Sequence, residues 1–506
     1  MTDMTHLWEF HGGIEPLGHK SLSNQTPIVQ AKIPPFLVLP LLQNIGEPAQ
    51  PIVQIGDKVL KGQIIAHCHA YDCSLLMSVP VHASSSGTVK AIESRAVPHP
   101  SGLMAPCIVI ETDGQDTWAE HTALTDYKTL SPEVVRDHIA KAGIVGLGGA
   151  GFPAHIKLKP DSIDTLIING AECEPYITCD DRLMREHAHD IIAGAQIIGH
   201  VLGGTKRCVI AVENNKPVAY QALLEAVDGW VEVVKVPTLY PMGGEKQLIQ
   251  VLTGNEVGRA QLPASIGIVV HNVETTRAVY RAVQLGQPLV SRVITVTGSG
   301  VEKPQNLEAL LGTPMQALLE QCGYQSDIQR LIMGGPMMGF ALPNDKMPII
   351  KTTNCLIVSR AIEPKPLAKP CIRCGACANV CPINLLPQQL YWYSKAKDLK
   401  KAQDYHLFDC IDCGCCSYVC PSHIPLVSYF RYAKAEIRAT ERDRKTAELA
   451  KQRYEFKKFR LERSKKERAE RHKKAVSDKS KQAEIQAAVE RVKAKKAQSE
   501  KPTANS

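Results

Sequence analysis

Apolar and polar positions change their spacing several times along the 506-residue chain, and each change predicts a different kind of element. Residues 1 to about 40 hold no sustained period. Gly12, Gly13, Pro34 and Pro35 interrupt them, so an irregular lead-in is expected, and His6, His11 and His19 read as ordinary surface or core histidines. From 45 to 111, short aliphatic runs around Val53, Val59, Ile64, Val79 and Val89 alternate between Gly-Asp and Ser-Gly turns, which predicts a small all-β unit. Ser131 followed by Pro132, with Val134, Val135, Ile139 and Ala142 behind them, marks a helix start. Strands at 165–169, 207–212, 231–236 and 266–270 then alternate with helices at 217–227, 244–253 and 274–285, the pattern of an α/β domain whose helices cover a sheet. A strand at 292–300, an apolar run at 307–311 and a helix at 314–322 predict a further small β-plus-helix unit with a packing role. From Arg438 the apolar spacing fades into Lys, Arg, Glu, Gln and Ala without heptads, which predicts a solvated, partly disordered helix.

Composition narrows this picture. The chain is 44% hydrophobic and only 5% aromatic, the make-up of a soluble globular protein with length for roughly three or four domains. The first seven residues have neither a basic start nor an apolar core, so no export signal is expected and the compartment should be reducing cytosol. The longest apolar run, near 36–42, is broken by Pro40 and far short of a membrane span, so membrane association would be peripheral. The net charge of +8 is a property of the tail: residues 438–506 hold 23 Lys and Arg against 11 Asp and Glu, a net +12 that leaves −4 for the rest. A body without basic excess argues against a nucleic-acid partner. The tail itself would suit an anionic membrane surface or an acidic partner.

The sharpest chemistry lies in eight cysteines. Cys371, Cys374, Cys377 and Cys381-Pro382 are followed by Cys410, Cys413, Cys416 and Cys420-Pro421, two copies of CxxCxxCxxxCP. That run is the bacterial-type signature of a [4Fe–4S] cluster, and in paired copies the fourth cysteine ligates the other cluster. The expected sets are Cys371, Cys374, Cys377 with Cys420, and Cys410, Cys413, Cys416 with Cys381, or about eight irons per chain. Structural zinc gives no reason for a third evenly spaced cysteine or the proline. A disulfide framework belongs to short secreted chains. Cys415 reads as a buried bystander in preference to a shifted ligand.

A second candidate is the glycine run from Gly143 to Pro153. Gly146, Gly148 and Gly151 satisfy GxGxxG, with Glu172 about twenty residues on, the spacing of a dinucleotide-binding fingerprint. Pro153 and Pro160 leave no room for the crossover helix such a loop must open, so a Rossmann unit is rejected. The glycines more readily admit a phosphate or flat ring to backbone N–H groups, a plain tight connection being the alternative. Polar loops at 169–176, 240–246 and 271–275 follow strands or the approach to one, where ligands gather in such folds.

The residues at 45–111 resemble the biotinyl/lipoyl-like barrel-sandwich family, and residues 70–81, where carrier members hold a lysine, contain none, which implies a structural module. The glycine loop, the Asn169 to Pro175 loop, the Gly243 to Glu245 turn and the Asn272-Val273-Glu274-Thr275 phrase resemble, in that order, the flavin- and NADH-binding subunit of respiratory complex I and its hydrogenase relatives. With the sandwich in front, a soluble-ligand-binding β-grasp module after it and the twin cysteine segment behind, the chain to Ile437 resembles the C-subunit family of Rnf electron-transport complexes. That resemblance implies a multidomain α/β chain. Its parts are a lead-in and barrel-sandwich unit (1–125), an FMN/NADH-binding α/β domain (126–287), the β-grasp domain (288–360), a helical two-cluster ferredoxin-type domain (361–437) and a charged helical or disordered tail (438–506). It further implies that Gly146, Gly148 and Gly149 cradle FMN, that Asn169, Glu172, Tyr240, Gly243 and Asn272 line its other contacts, and that Phe152, Lys157, Glu174 and Glu245 face NAD(H). Leu147, Ala171 and Gly244 stand where the complex I pattern has Arg, Asp and a second acid, so NADH affinity is expected to differ more than FMN binding. The implied function is a peripheral subunit on the cytoplasmic side of the cell inner membrane, coupling electron transfer to ion translocation. It would work with integral membrane and redox subunits and a ferredoxin-type electron partner. A soluble diaphorase or hydrogenase-type flavin subunit, or a non-catalytic iron–sulfur wire, are the rival readings.

Overall fold

A computed structural model describes residues 6–68, 77–159, 162–227, 229–259, 261–324, 329–361 and 366–499. The chain forms two compact units, Met1–Phe430 and Arg431–Ser506. One helix, Leu426–Ser499, accounts for every described residue of the second unit. Its side chains from Arg442 onward are almost all exposed, and i,i+4 pairs such as Arg463–Glu467 (3.3 Å) lie along it. Strong helix formers and these pairs favour helix without a packed face. The end of the expected tail, 500–506, lies outside the described residues.

The first unit begins with a barrel-like β module. Phe36–Pro40, Met104–Thr112, Gly87–Ala96 and Lys58–Val59 form an antiparallel sheet, and Gln50–Pro51, Ile64–His67 and Val81–His82 form a second. The lead-in expected to be irregular to about residue 40 therefore already holds a strand. In it Leu37 and Leu39 are fully buried while Phe36 is exposed, the period-two alternation of a half-buried strand, and Pro40 sits at its end where a missing donor is tolerated. Most of the hairpin lacking a lysine, residues 70–76, lies outside the described residues.

The α/β domain is built on a four-stranded parallel sheet, in the order Val231–Val236, Arg207–Glu213, Thr165–Gly170, Ile268–Asn272. Strands buried on both faces read as aliphatic runs, as Leu166-Ile167-Ile168 and Cys208-Val209-Ile210 do here. The last strand starts two residues later than expected because Pro263–Ile266 forms a 3₁₀ turn before it. Helices Cys179–Glu186 and Ala188–Val201 lie outside the elements that the apolar spacing predicts; the second is apolar nearly all round, so its period is blurred by burial. The glycine run follows helix Pro132–Lys141 and enters a single helical turn, Ala154–Lys157, with no strand before it, so the loop is not part of a βαβ dinucleotide unit.

Next comes a six-stranded mixed sheet, ordered Val29–Gln30, Gln305–Leu310, Ser291–Thr297, Cys355–Ser359, Arg330–Met333, Phe340–Leu342. All seven residues of Ser291–Thr297 are buried, which its threonines disguise in the sequence. The lead-in supplies the edge strand, Val29 and Gln30 pairing with Leu307 and Glu308.

The two cysteine repeats fold alike. Arg373 and Asp412 take left-handed φ of 57° and 56°, and Gly375 and Gly414 take 81° and 87°, each pair leading into a one-turn helix, Ala376–Asn379 and Cys415–Tyr418. Alternating handedness bends each CxxCxxC run into a tight loop. Among the described residues no helix is long and apolar enough to cross a membrane.

Candidate functional site

A cavity of about 1010 Å³ opens among the β module, the α/β domain, the mixed sheet and the second cysteine loop. The glycine run forms one wall. Its ends are tied by Gly146 N–H to the Phe152 carbonyl (2.8 Å) and Gly151 N–H to the Gly146 carbonyl (3.0 Å), so Gly146 and Phe152 shape the loop from outside the cavity lining. Between them Gly148, Gly149 and Ala150 face the cavity, and among the described residues none of their three N–H groups has an acceptor. Gly149 has φ +113°, and a Cβ there would meet nothing within 4 Å. A row of free donors beside open space fits an anionic phosphate or the polar edge of a ring. Behind the loop, Leu147 N–H donates to Thr275 Oγ1 (2.9 Å) and Arg292 donates to the Leu147 carbonyl (3.2 Å).

The opposite wall carries the acidic loop. Asn169, at the end of its strand, clamps two loops by donating to the Gly243 carbonyl (3.0 Å) and accepting from Ala171 N–H (3.0 Å). Glu172 Oε1 accepts from Asp180 N–H (2.8 Å), while Oε2 has no hydrogen-bond partner among the described residues. Lys20 Nζ lies 3.7 Å from that oxygen, too far for a hydrogen bond, because it donates to the carbonyls of Glu172 (2.5 Å), Glu174 (3.0 Å) and Ile177 (2.8 Å). Burial, reinforced by Asp180 and opposed by Lys20 and Lys216, therefore pushes the Glu172 carboxyl up to about 8. Asp180 is raised to about 6 by burial and then by Glu274, although Asn272 donates to it (2.7 Å). Below pH 4.5 Glu172 is protonated whether the chain is folded or not; between 4.5 and about 8 only the unfolded chain releases that proton. Its contribution to stability thus declines as pH rises through that window. Glu172→Gln is expected to flatten the fall in urea midpoint between these pH values, and a fall as steep as in the unaltered protein contradicts the assignment.

The remaining expected residues divide between lining and support. Glu174 and Glu245 line the cavity; Glu174 accepts from Met337 N–H (2.7 Å) and Met338 N–H (2.9 Å), and Glu245 pairs with Lys157 (2.6 Å). Lys157 itself is outside the lining and also donates to the Val270 carbonyl (3.0 Å). Gly243 and Asn272 line the cavity, Asn272 capping helix Val273–Leu285 through Glu274 N–H (2.9 Å). Tyr240, 2% exposed, lines it too and donates its hydroxyl to the Cys413 carbonyl (2.6 Å).

That bond reaches the cysteines, which fall into two pockets. One is lined by Cys381, Cys410, Cys413 and Cys416, with Cys415 beside them, and the other by Cys371, Cys374, Cys377 and Cys420, each set mixing the two sequence repeats. Burial raises the Cys416 thiol, with Cys410, Cys413 and Cys381 adding to it, and burial raises Cys377, with Cys374 and Cys371 adding. Cys413 departs from this, its thiol lowered by a hydrogen bond with Cys415. Buried thiols that raise one another are most readily ionised beside a cation, which fits an iron–sulfur cluster. Ile411 lines both the first cysteine pocket and the large cavity, whereas Cys374 in the second pocket is exposed. Cys415 is fully buried beside Ile14, Tyr240 and Cys413. Sequence reasoning missed Lys20, the loop at 333–340 and the β-module residues Asn44 and His99 in the cavity wall. None of them stands in a motif. Only the Gly334-Gly335-Pro336 turn hinted at a loop.

A parallel α/β domain with a donor-lined cavity, joined to a twin-cysteine domain through Tyr240, defines a flavoprotein-type iron–sulfur redox protein. Comparison with known families agrees: residues 8–115 match the RnfC barrel sandwich hybrid domain, 139–281 the Nuo51 FMN-binding domain, 293–341 the SLBB domain and 370–424 the 4Fe-4S dicluster domain. The C subunit of the ion-translocating oxidoreductase complex of Vibrio cholerae serotype O1 is 50% identical over 514 residues, covering 99% of this chain. Its counterpart from Pectobacterium atrosepticum is 48% identical over 499 residues, covering 97% of this chain and 71% of its own length. The chain belongs to this family of C subunits of ion-translocating oxidoreductase complexes. It spans 66% of the length of the Vibrio cholerae relative. An NAD+-reducing [NiFe]-hydrogenase structure aligns with a TM-score of 0.43 at 18% identity, over 62% of this chain and 64% of the other.

Proposed function

We propose that this chain is the NAD(H)-facing electron-transfer subunit of a membrane-bound ion-translocating oxidoreductase, peripheral on the cytoplasmic side of the inner membrane. The observation that carries the reading is the contact between cavity and cysteines: Tyr240 belongs to the cavity wall and bonds the Cys413 carbonyl at 2.6 Å. Gly148, Gly149, Asn169, Glu172, Tyr240, Gly243 and Asn272 would hold FMN, and Glu174 and Glu245 would serve the nicotinamide nucleotide, with Gly146, Phe152 and Lys157 supporting the wall from behind. When bound, FMN takes up a hydride as an electron pair and two [4Fe–4S] clusters carry electrons singly. The residues' part is positioning. The unpaired N–H groups at 148–150 orient, Asn169 holds the two loops at a fixed gap, and buried Glu172 can keep or release a proton at its unpaired Oε2. Cys381, Cys410, Cys413 and Cys416 would form the inner cluster, and Cys371, Cys374, Cys377 and Cys420 the outer one, facing a ferredoxin-type partner. Ion movement belongs to the integral membrane partners.

An anaerobic absorption titration with NADH, paired with iron and FMN assay, tests this. Expected are stoichiometric FMN, about eight irons per chain, and bleaching of both chromophores. Protein that lacks FMN, or whose flavin NADH does not reduce at any ratio, contradicts the proposal.

A further inference from the structure

Residues 11–20 have no strand of their own and form a short 3₁₀ turn only at their end, yet they touch both walls of the path between cavity and inner cysteine pocket. At one end His11 Nδ1 lies 2.9 Å from the Cys381 carbonyl and Gly13 N–H donates to the Val380 carbonyl (3.1 Å). Gly12 has φ +72°, and a Cβ there would sit 2.5 Å from the Val380 carbonyl carbon, so the segment lies directly against the cysteine loop. In the middle, Ile14 and Tyr240 exchange N–H and carbonyl bonds of 2.9 Å. At the other end Tyr176 N–H donates to the Gly18 carbonyl (2.7 Å), the His19 ring stacks on Tyr176 (4.5 Å, 16°), and Lys20 spends its donors on the carbonyls of Glu172, Glu174 and Ile177.

We infer that residues 11–20 are a strap that sets the spacing between the acidic loop of the cavity and the loop bearing Cys381, with His11 and Lys20 as positioning residues at its two ends. A segment that merely covered the surface would show scattered side-chain contacts. Here the polar groups are aimed at main-chain carbonyls of the two loops, which fixes backbone against backbone. The acidic loop belongs to the parallel-sheet domain and Cys381 to the cysteine domain. Among the described residues these domains are also joined by Tyr240 to Cys413, Gln247 to the Pro382 carbonyl (3.5 Å) and Arg259 to Asp409 (2.7 Å), none of which runs from the acidic loop to the Cys381 loop as residues 11–20 do. Electron transfer is steeply sensitive to separation, so holding that gap is functional in itself.

The inference rests on the proposed transfer from flavin to the inner cluster, and the test separates the two. Full-length His11→Ala and Gly12→Ala are loaded with FMN and clusters, mixed anaerobically with NADH, and followed by stopped flow with flavin and cluster bleaching read separately. The expected result is flavin reduction within about twofold of the unaltered protein and cluster reduction slowed by roughly tenfold or more, the scale of loss that small misplacements cause. FMN and iron contents should be preserved, and His11→Asn, which keeps a side-chain N–H, should restore most of the cluster rate. Unchanged cluster reduction overturns the strap. Equal slowing of both phases, or joint loss of FMN and iron, also overturns it by marking a general packing role. Unaltered protein whose flavin is reduced while its clusters stay oxidised overturns the functional proposal instead.

Discussion

Cys381→Ser is expected to remove the cluster nearest the cavity, although Cys381 belongs to the first CxxCxxCxxxCP run. Its thiol shares a pocket with Cys410, Cys413 and Cys416 and accepts from Leu385 N–H (3.4 Å), while Cys420 lines the pocket of Cys371, Cys374 and Cys377. Each single substitution should therefore lower iron from about eight to about four per chain. The two variants should differ in function. With Cys381→Ser, NADH should still bleach the flavin, but the surviving outer cluster should stay oxidised because its inner neighbour is gone. With Cys420→Ser, the surviving inner cluster should be reduced as fast as before. Anaerobic stopped-flow spectra of the two proteins decide it. If the cluster surviving in Cys381→Ser is reduced at the unaltered rate, the crossed assignment or the inner-to-outer order is wrong.

Arg292→Met is expected to be the most damaging change outside the cysteines. Arg292 is 2% exposed and binds Glu274 Oε2 (2.6 Å), the Lys351 carbonyl (2.5 Å) and the Leu147 carbonyl (3.2 Å). Glu274 is also buried, and its other oxygen accepts from Val293 N–H (2.6 Å). Removing the cation leaves a buried carboxylate without its counter-charge, which costs about 3–5 kcal/mol. Loss of the bond to Leu147 also frees the base of the glycine run, so FMN retention should fall along with the denaturation midpoint. Arg292→Lys should rescue little, since one ammonium cannot span three acceptors held by a planar fork. A stability change under about 1 kcal/mol would show that the pair is not the buried tie described here.

Local patterns are legible wherever the cause is local. The glycine run, the acidic loop and the strands at 207–213 and 231–236 can be placed from residues adjacent in the chain, because turn chemistry and period are short-range properties. Gly148, Gly149, Asn169, Glu172, Glu174, Tyr240, Gly243, Glu245 and Asn272 all reach the cavity wall, whereas Gly146, Phe152 and Lys157 stand behind it. That difference depends on which way each loop faces, which spacing does not encode. The strand Phe36–Pro40 and helix Ala188–Val201 escape the pattern for a related reason: proline and all-round apolarity mask a period that burial then imposes.

The kind of chemistry is legible in contiguous residues. Two repeats of four cysteines point to iron–sulfur chemistry, and four loop motifs in order resemble a flavin-type domain, since ligand spacing and loop curvature are written in contiguous residues. Which cysteine set lies beside the cavity, and what supports its wall, emerges from the packing alone. The Cys410, Cys413, Cys416 and Cys381 pocket shares Ile411 with the cavity and takes the Tyr240 hydroxyl, while the other set ends at exposed Cys374. Lys20 meets Glu172 across 152 positions and His11 meets Cys381 across 370. Contacts between such distant segments arise when separate cores pack together, and no local period in either segment announces its partner.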